Sequence, residues 1–137
     1  MLSILLPSPA PIVTELTVDT TVSDSEDLFG KTIGDLQEGV TIGEDAITGT
    51  LKYVEDYTGF SSDPAMQSGN YLVIHCTVND GTPITVEVIG GTSGPRQLDT
   101  DGIIVLRIAN KDTQSVKVVA GSVTKTYSLT GLTCESN

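Results

Sequence analysis

The residues of this chain that could support nucleophilic or acid–base chemistry are one histidine and two cysteines: His75, Cys76 and Cys134. His75 and Cys76 are adjacent in an apolar stretch, 71–78, whose composition predicts a β-strand. Neighbouring strand residues point to opposite faces, so these two side chains do not form a nucleophile–base pair. A pair with Cys134 would require the fold to bring that residue close. We therefore expect no catalytic residue and no enzymatic activity.

Three carboxylate clusters have side chains of the kind that bind metals. Asp99-Thr-Asp-Gly102 is similar to the start of a calcium loop, but the later ligand positions and the terminal Glu are missing. A β-turn accounts for its acids and its glycine. Asp24-Ser-Glu-Asp27 and Glu44-Asp45 are interpreted as solvated loop acids. No glycine-rich loop leads from a strand into a helix, so no phosphate cradle is predicted. We expect neither a metal nor another cofactor.

The two cysteines are too few for a disulfide framework and lack metal-ligand spacing. We expect both to be reduced, with Cys76 acting as a small strand residue. The sequence neither requires nor excludes a disulfide bond between them.

The second half of the chain has a regular β pattern. Strands are predicted at 46–54, 71–78, 84–89, 103–109, 115–120 and 123–129, separated by turn residues. Two hairpins are predicted, one joining 71–78 to 84–89 and the other joining 115–120 to 123–129. Asp63-Pro-Ala-Met-Gln67 is predicted to be a short helical turn with an Asp cap and Pro at its first position.

This spacing predicts an all-β fold, an antiparallel immunoglobulin-like β-sandwich with an extended N-terminal arm. The predicted domains are an acidic arm over 1–45, the sandwich over 46–133 and a C-terminal tail over 134–137. Helix should be limited to short turns, because Thr, Ser and Gly are abundant while Ala and Lys are scarce.

Charge is concentrated in the first half. Residues 1–70 hold twelve of the eighteen acids and only two cations, Lys31 and Lys52. With a net charge of −11, the chain offers no basic face for nucleic acid or for an acidic membrane surface. No apolar run approaches the roughly 20 residues that span a bilayer. We expect no nucleic-acid or membrane partner; a basic protein surface stays open as a partner.

The N-terminal arm carries an apolar tip followed by alternating prolines, which favour extended backbone. It lacks the positive n-region of a signal peptide. Residues 12–18 alternate partly and are interpreted as an edge strand or as a strand that pairs with another chain. The arm is either disordered or ordered by contact with a neighbouring subunit. In the second case the contact residues are the apolar side chains Leu2, Ile4, Leu5, Leu6, Ile12, Val13 and Leu16.

Tyr53, Tyr57 and Phe60 are grouped near Tyr71. Exposed aromatics on a sandwich could stack on sugars, which would make the protein a carbohydrate-binding module. We favour the other interpretation, that these residues are core anchors around the long connection at 56–69, because the chain has few aromatics.

Three motifs carry a family resemblance: Ile47-Thr-Gly-Thr-Leu-Lys-Tyr-Val54, Tyr57-Thr-Gly-Phe-Ser-Ser-Asp-Pro64 and Gln67-Ser-Gly-Asn-Tyr-Leu72. With these motifs the chain resembles head decoration or head fibre proteins, which are encoded beside the major capsid protein in tailed phages and prophages of Gram-positive hosts. The similarity runs from about residue 34 to 133 and includes Val86-Glu-Val-Ile-Gly-Gly91 and Thr126-Tyr-Ser-Leu-Thr-Gly-Leu132.

The resemblance implies a non-enzymatic structural protein of the virion that binds the outer surface of the capsid and stabilises or adorns the head. It implies the major capsid protein as partner and offers no catalytic residues. A homo-oligomer is expected, with a trimer favoured because capsid lattices offer threefold sites. The alternative is a carbohydrate- or host-surface-binding β-sandwich module.

Overall fold

The computed structural model describes residues 13–20, 39–58, 60–91, 94–98 and 101–136. Within these ranges the chain forms β-strands joined by loops, with one short 3-10 helix at Pro64–Met66. In chain order the strands are β1 (Leu16–Asp19), β2 (Val40–Ile42), β3 (Ile47–Leu51), β4 (Tyr53–Val54), β5 (Gly69–Val78), β6 (Ile84–Ile89), β7 (Arg96–Leu98), β8 (Asp101–Ile108), β9 (Ser115–Ala120), β10 (Val123–Ser128) and β11 (Leu132–Cys134). The predicted all-β class is confirmed.

Two antiparallel sheets form the sandwich. In the first sheet β5 is central: β8 pairs along one of its edges, while β1 and β4 pair with opposite ends of the other edge. The second sheet has the order β10-β9-β6-β7. Their inner faces share one core, because Val, Ile and Leu alternate with polar residues along the strands. Its fully buried side chains include Ile47, Leu51, Leu72, Ile74, Ile84, Val86, Val116, Val118 and Leu129.

A third, smaller sheet with the order β11-β3-β2 closes one side of the sandwich. β3 continues into β4 of the first sheet through Lys52 alone, and an isolated bridge between Ala46 and Ser128 joins this sheet to β10. Gly49 lies mid-strand in β3 with a φ of 114°, where an added Cβ would stand 1.9 Å from the Gly39 carbonyl oxygen. Only glycine permits that close approach of β2.

Asn70 of β5 ties the third sheet to the first. Its side-chain amide nitrogen lies 3.3 Å from the carbonyl oxygens of Leu51 and Lys52 and 2.9 Å from that of Glu135, and donates to all three. These carbonyls lie where the chain leaves β3 for β4 and just after β11. A strand that changes sheets cannot satisfy all its carbonyls within one ladder. The Asn70 amide therefore supplies side-chain donors at this crossing, where the Leu51 carbonyl oxygen also accepts from the Glu135 N–H at 2.9 Å.

One predicted strand pairing is wrong: 71–78 and 84–89 do not form a hairpin. β5 pairs with β1, β4 and β8, whereas β6 pairs with β7 and β9. The connection 79–83 reverses the chain but carries it across the core into the other sheet. The predicted hairpin around Gly121 is confirmed, as is the turn capped by Asp63, whose Oδ1 accepts from the Ala65 N–H at 3.0 Å.

The structure adds strands at the ends of the predicted sandwich. β1 and β2 lie in the range 1–45 that was predicted to be arm, yet they hydrogen-bond to β5 and β3. β1 is an edge strand, which confirms the edge-strand interpretation of 12–18 for residues 16–18 only. Cys134, predicted to belong to the tail, pairs with Leu51 because β11 runs parallel to β3. The immunoglobulin-like strand arrangement stays a prediction.

Candidate functional site

The structure places His75 and Cys76 on opposite faces of the first sheet, as the alternation predicted. His75 faces outward, where its Nδ1 lies 3.4 Å from Oδ1 of Asp19, the residue opposite it on β1. Cys76 faces the core and is fully buried. Burial, with a smaller contribution from the Asp19 carboxylate, raises the pKa of the Cys76 thiol to about 12. Cys76 therefore stays a protonated thiol at neutral pH and cannot be activated by its neighbour.

Both cysteines are free thiols. Cys134 is partly exposed on β11, and burial also raises its pKa above the ordinary value. Within the described ranges, no three His, Cys, Asp or Glu side chains converge as metal ligands. Asp99 lies outside the described residues, and so does the cluster at 24–27.

A small aromatic cluster covers the outer face of the first sheet. Tyr57 and Phe60, from the connection after β4, pack edge-on against Tyr71, with ring centroids 5.2 and 5.1 Å away. The Tyr71 hydroxyl donates to the Met66 carbonyl oxygen at 2.8 Å, and burial raises its pKa despite the opposing charge of Arg107. Tyr57 and Tyr71 are buried, so the core interpretation is confirmed for them. Neither ring is available to stack on a sugar.

Phe60 is the exception in this cluster. Its ring is only partly buried, and the guanidinium carbon of Arg96 lies 5.6 Å from its centroid. This distance is typical of a cation–π contact. Phe60 therefore links the aromatic cluster to a cavity on the open side of the sandwich.

That cavity, the edge cavity, has a volume of about 350 Å³ and opens between the edge strands β7 and β8. It is opposite the third sheet, where no further strand of the described chain covers the gap. Its apolar wall comes mainly from β6 and β8, its rim includes glycines of the loop 90–94, and the connection 109–114 closes one end. Arg96 and Arg107 both line it. This site was not predicted from the sequence, because its residues are far apart in the chain and form no motif. Arg96 begins β7 and Arg107 lies near the end of β8.

The N-terminal anchor, by which we mean residues 13–15 with Asn79 and Asp80, fixes the start of the described chain. The Asn79 side chain accepts from the Glu15 N–H at 2.7 Å and donates to the Val13 carbonyl at 2.9 Å. The Thr14 hydroxyl donates to Asp80 at 2.5 Å. This hydrogen bond, helped by those from Thr82, lowers the pKa of the Asp80 carboxyl. Residues 13–15 are thus hydrogen-bonded to Asn79 and Asp80, which lie just after the end of β5.

The apolar residues predicted to contact a neighbouring subunit are divided by this anchor. Leu16 is buried in the core of its own chain, at 4% exposure, whereas Val13 is 70% exposed. Leu2, Ile4, Leu5, Leu6 and Ile12 lie outside the described residues. Val13 is therefore the described residue of this set whose side chain is available for contact.

No helix within the described ranges is long and apolar enough to cross a bilayer. No known protein-family model, curated protein or solved structure matches this chain at a significant level.

Proposed function

We propose that this protein is a non-enzymatic structural protein of the virion that binds the outer surface of a tailed-phage capsid and stabilises or adorns the head. The observation that carries the proposal is the N-terminal anchor together with the exposed Val13. The motifs at 47–54, 57–64 and 67–72, which resemble those of head decoration proteins, support it. In this role the partner is the major capsid protein, and no cofactor, metal or catalytic group takes part.

The geometry of β1 determines where an attachment segment leaves the domain. β1 is antiparallel to β5, with Leu16 opposite Val78 and Asp19 opposite His75. Residues 13–15 therefore run past the end of β5, beside Asn79 and Asp80. The N-terminal anchor fixes the position of residues 13–15, while Leu16 of β1 is buried in the core. An arm attached in this way adds contact area that a small domain lacks, and its exit direction is fixed before it binds.

The charge distribution favours a basic patch on the capsid as the docking surface. The described exposed acids near this exit include Glu15 and Asp80, and the first half of the chain carries most of the acid overall. Electrostatic complementarity of this kind mainly accelerates association and selects the partner. We propose a cyclic homo-oligomer, most simply a trimer on a threefold position of the lattice.

The test is co-sedimentation with empty capsids of the parent phage. Three forms are compared: the full chain, a truncation lacking residues 1–12, and a full-length variant with Leu2, Ile4, Leu5 and Leu6 changed to Ser. The truncation point spares β1, so loss of binding cannot be attributed to an unfolded sandwich; circular dichroism verifies this. We expect the full chain to sediment with capsids and both altered forms to remain in solution.

Two other results would count against the proposal. Equal sedimentation of all three forms would move attachment from the arm to the sandwich. No sedimentation of the full chain would exclude a capsid role. Val13→Ser, which changes a described exposed residue next to the anchor, serves as a graded control and should weaken binding without abolishing it.

A further inference from the structure

The edge cavity combines positive charge with an apolar wall, in a protein whose net charge is −11. Arg96 reaches it from β7 in the second sheet, and Arg107 reaches it from β8 in the first. Among the described side chains that line it there is no carboxylate. Neither arginine is ion-paired with a carboxylate in the described part of the chain. Two guanidinium groups, neither of them paired with a described carboxylate, therefore line one cavity.

Both guanidinium groups are held in position. Arg107 donates from Nε to the Ser68 carbonyl oxygen at 3.1 Å and also makes a side-chain hydrogen bond with Tyr71, which leaves the remaining N–H groups of its guanidinium for other acceptors. Arg96 lies over the Phe60 ring. A guanidinium that is fixed before binding loses less side-chain entropy when it grips a planar anion.

The rest of the cavity is suited to an apolar body. Val86, Val88, Val105 and Leu106 supply most of its wall. At one end Gln114 is buried, and its Oε1 accepts from the backbone N–H groups of Ala109 and Asn110 at 2.9 and 3.0 Å. These contacts fix the connection that closes the cavity. A volume of about 350 Å³ lies within the roughly 300–1,000 Å³ that is usual for small-molecule sites.

We propose that the edge cavity binds a carboxylate that carries an apolar body, with Arg96 and Arg107 holding the carboxylate and the valine wall holding the body. A carboxylate accepts two parallel hydrogen bonds from a guanidinium, which gives both energy and orientation. The ligand is either a free amphipathic acid or an acidic side chain beside apolar residues on a partner protein. This inference does not depend on the capsid proposal.

The test is an NMR titration of the isotopically labelled full chain with four probes. N-acetyl-leucine presents a carboxylate on an apolar body; its primary amide is the matched neutral control, and acetate lacks the body. An acetylated and amidated Leu-Glu-Leu peptide presents the carboxylate from a side chain. We expect saturable shifts of the backbone signals of Gly90, Arg107 and Gln114 with N-acetyl-leucine or the peptide. The amide and acetate should each bind at least about tenfold more weakly.

Variants identify the groups responsible. Arg96→Gln should weaken binding about tenfold or more, because a hydrogen bond to a charged group is lost. Lys117→Gln makes the same charge change on the outer face of the second sheet and should leave binding unchanged. Arg107→Gln should act like Arg96→Gln; if it fails to fold because the Ser68 contact is lost, the Arg96 variant alone decides.

The proposal is overturned if neither N-acetyl-leucine nor the peptide gives saturable shifts, if the amide binds as well as the acid, or if Arg96→Gln binds like the parent. Tighter binding of the peptide than of N-acetyl-leucine assigns the site to a protein side chain. The reverse order assigns it to a free acid.

Discussion

Replacing Asn70 with aspartate tests whether its amide holds the third sheet to the first. The change preserves the size and shape of the side chain but removes both N–H donors, which serve the carbonyl oxygens of Leu51, Lys52 and Glu135. At neutral pH it also places a carboxylate against three carbonyl oxygens. The free energy of unfolding should therefore fall by more than the removal of the hydrogen bonds alone would cause.

The magnitude follows from the number of donors. Two amide hydrogens make two full hydrogen bonds, each worth about 1 kcal/mol net, so roughly 2 kcal/mol is lost with the donors. Partial burial of the new carboxylate and its repulsion by the carbonyl oxygens add about 1–2 kcal/mol. We expect Asn70→Asp to lower the free energy of unfolding by about 3–4 kcal/mol at pH 7. Against a usual total of about 5–15 kcal/mol, this is a large fraction.

The stability difference between Asn70→Asp and the parent should also change with pH in a defined direction. The protonated form of the introduced carboxyl can donate to a carbonyl and the ionised form cannot, so folding raises its pKa above the unfolded value. Its stabilising contact is fully present below the unfolded pKa of about 4 and is lost as pH rises through the folded pKa. The stability gap between variant and parent should thus narrow in acid.

The assay is urea denaturation followed by far-UV circular dichroism at pH 7 and pH 4. Asn110→Asp is the matched control, because Asn110 uses its Oδ1 to accept from the Asp112 N–H at 3.0 Å, and a carboxylate keeps that role. A loss of less than about 1 kcal/mol for Asn70→Asp, or a pH profile like that of the control, would refute this account of Asn70.

Three further predictions follow from burial and from the N-terminal anchor. Tyr57→Ala should lower the free energy of unfolding by about 3–5 kcal/mol, and Phe60→Ala by about half as much, because only the first ring is fully buried; equal losses in urea denaturation would contradict this. In the native protein an alkylating reagent at pH 8 should modify Cys134 faster than Cys76, because the thiol of Cys76 is buried and has a pKa of about 12. Mass spectrometry of the labelled peptides gives the order of modification. The opposite order would show that Cys76 is accessible. The pKa of Asp80 is lowered in the folded state, so the stabilising contact with the anchor is present above the unfolded pKa and lost as pH falls through the folded value. The protection factors of the β1 amides, which compare each exchange rate with the intrinsic rate at the same pH, should therefore fall in acid in the parent but not in Asp80→Asn, and an equal fall in both would exclude the carboxyl as the cause.

The strands were predictable from sequence because alternation and turn residues are local signals. The stretch 115–128 shows this well: its apolar residues alternate, Gly121 marks the turn, and β9 and β10 form there. Pairing partners were not predictable in the same way. The connection 79–83 has turn chemistry, which shows that the chain reverses but not whether it stays in one sheet. β7 was missed because it follows a Gly- and Pro-rich loop and is short.

For the candidate sites, the buried aromatic residues were predictable from the sequence, whereas the edge cavity was not. Tyr57 and Tyr71 were predicted as core anchors because so few aromatics must fill a large interior. The cavity needs Phe60, Arg96 and Arg107 together, and only the three-dimensional arrangement of the sheets brings them there. A sequence without motifs at these positions gives no local signal of their proximity.

The parallel pairing of β11 with β3 has a consequence for how the protein is made. β3 leaves the ribosome well before its partner on one edge, β11, in which Leu132 lies opposite Gly49. The Asp45 carbonyl oxygen accepts from the Ser128 N–H, and this hydrogen bond too can form only after Ser128 has been synthesised. Because such long-range pairing closes late, the nascent chain exposes this edge of β3 until β11 has been synthesised. The third sheet should then be completed only after that point, and shorter nascent chains should be the form most prone to aggregate.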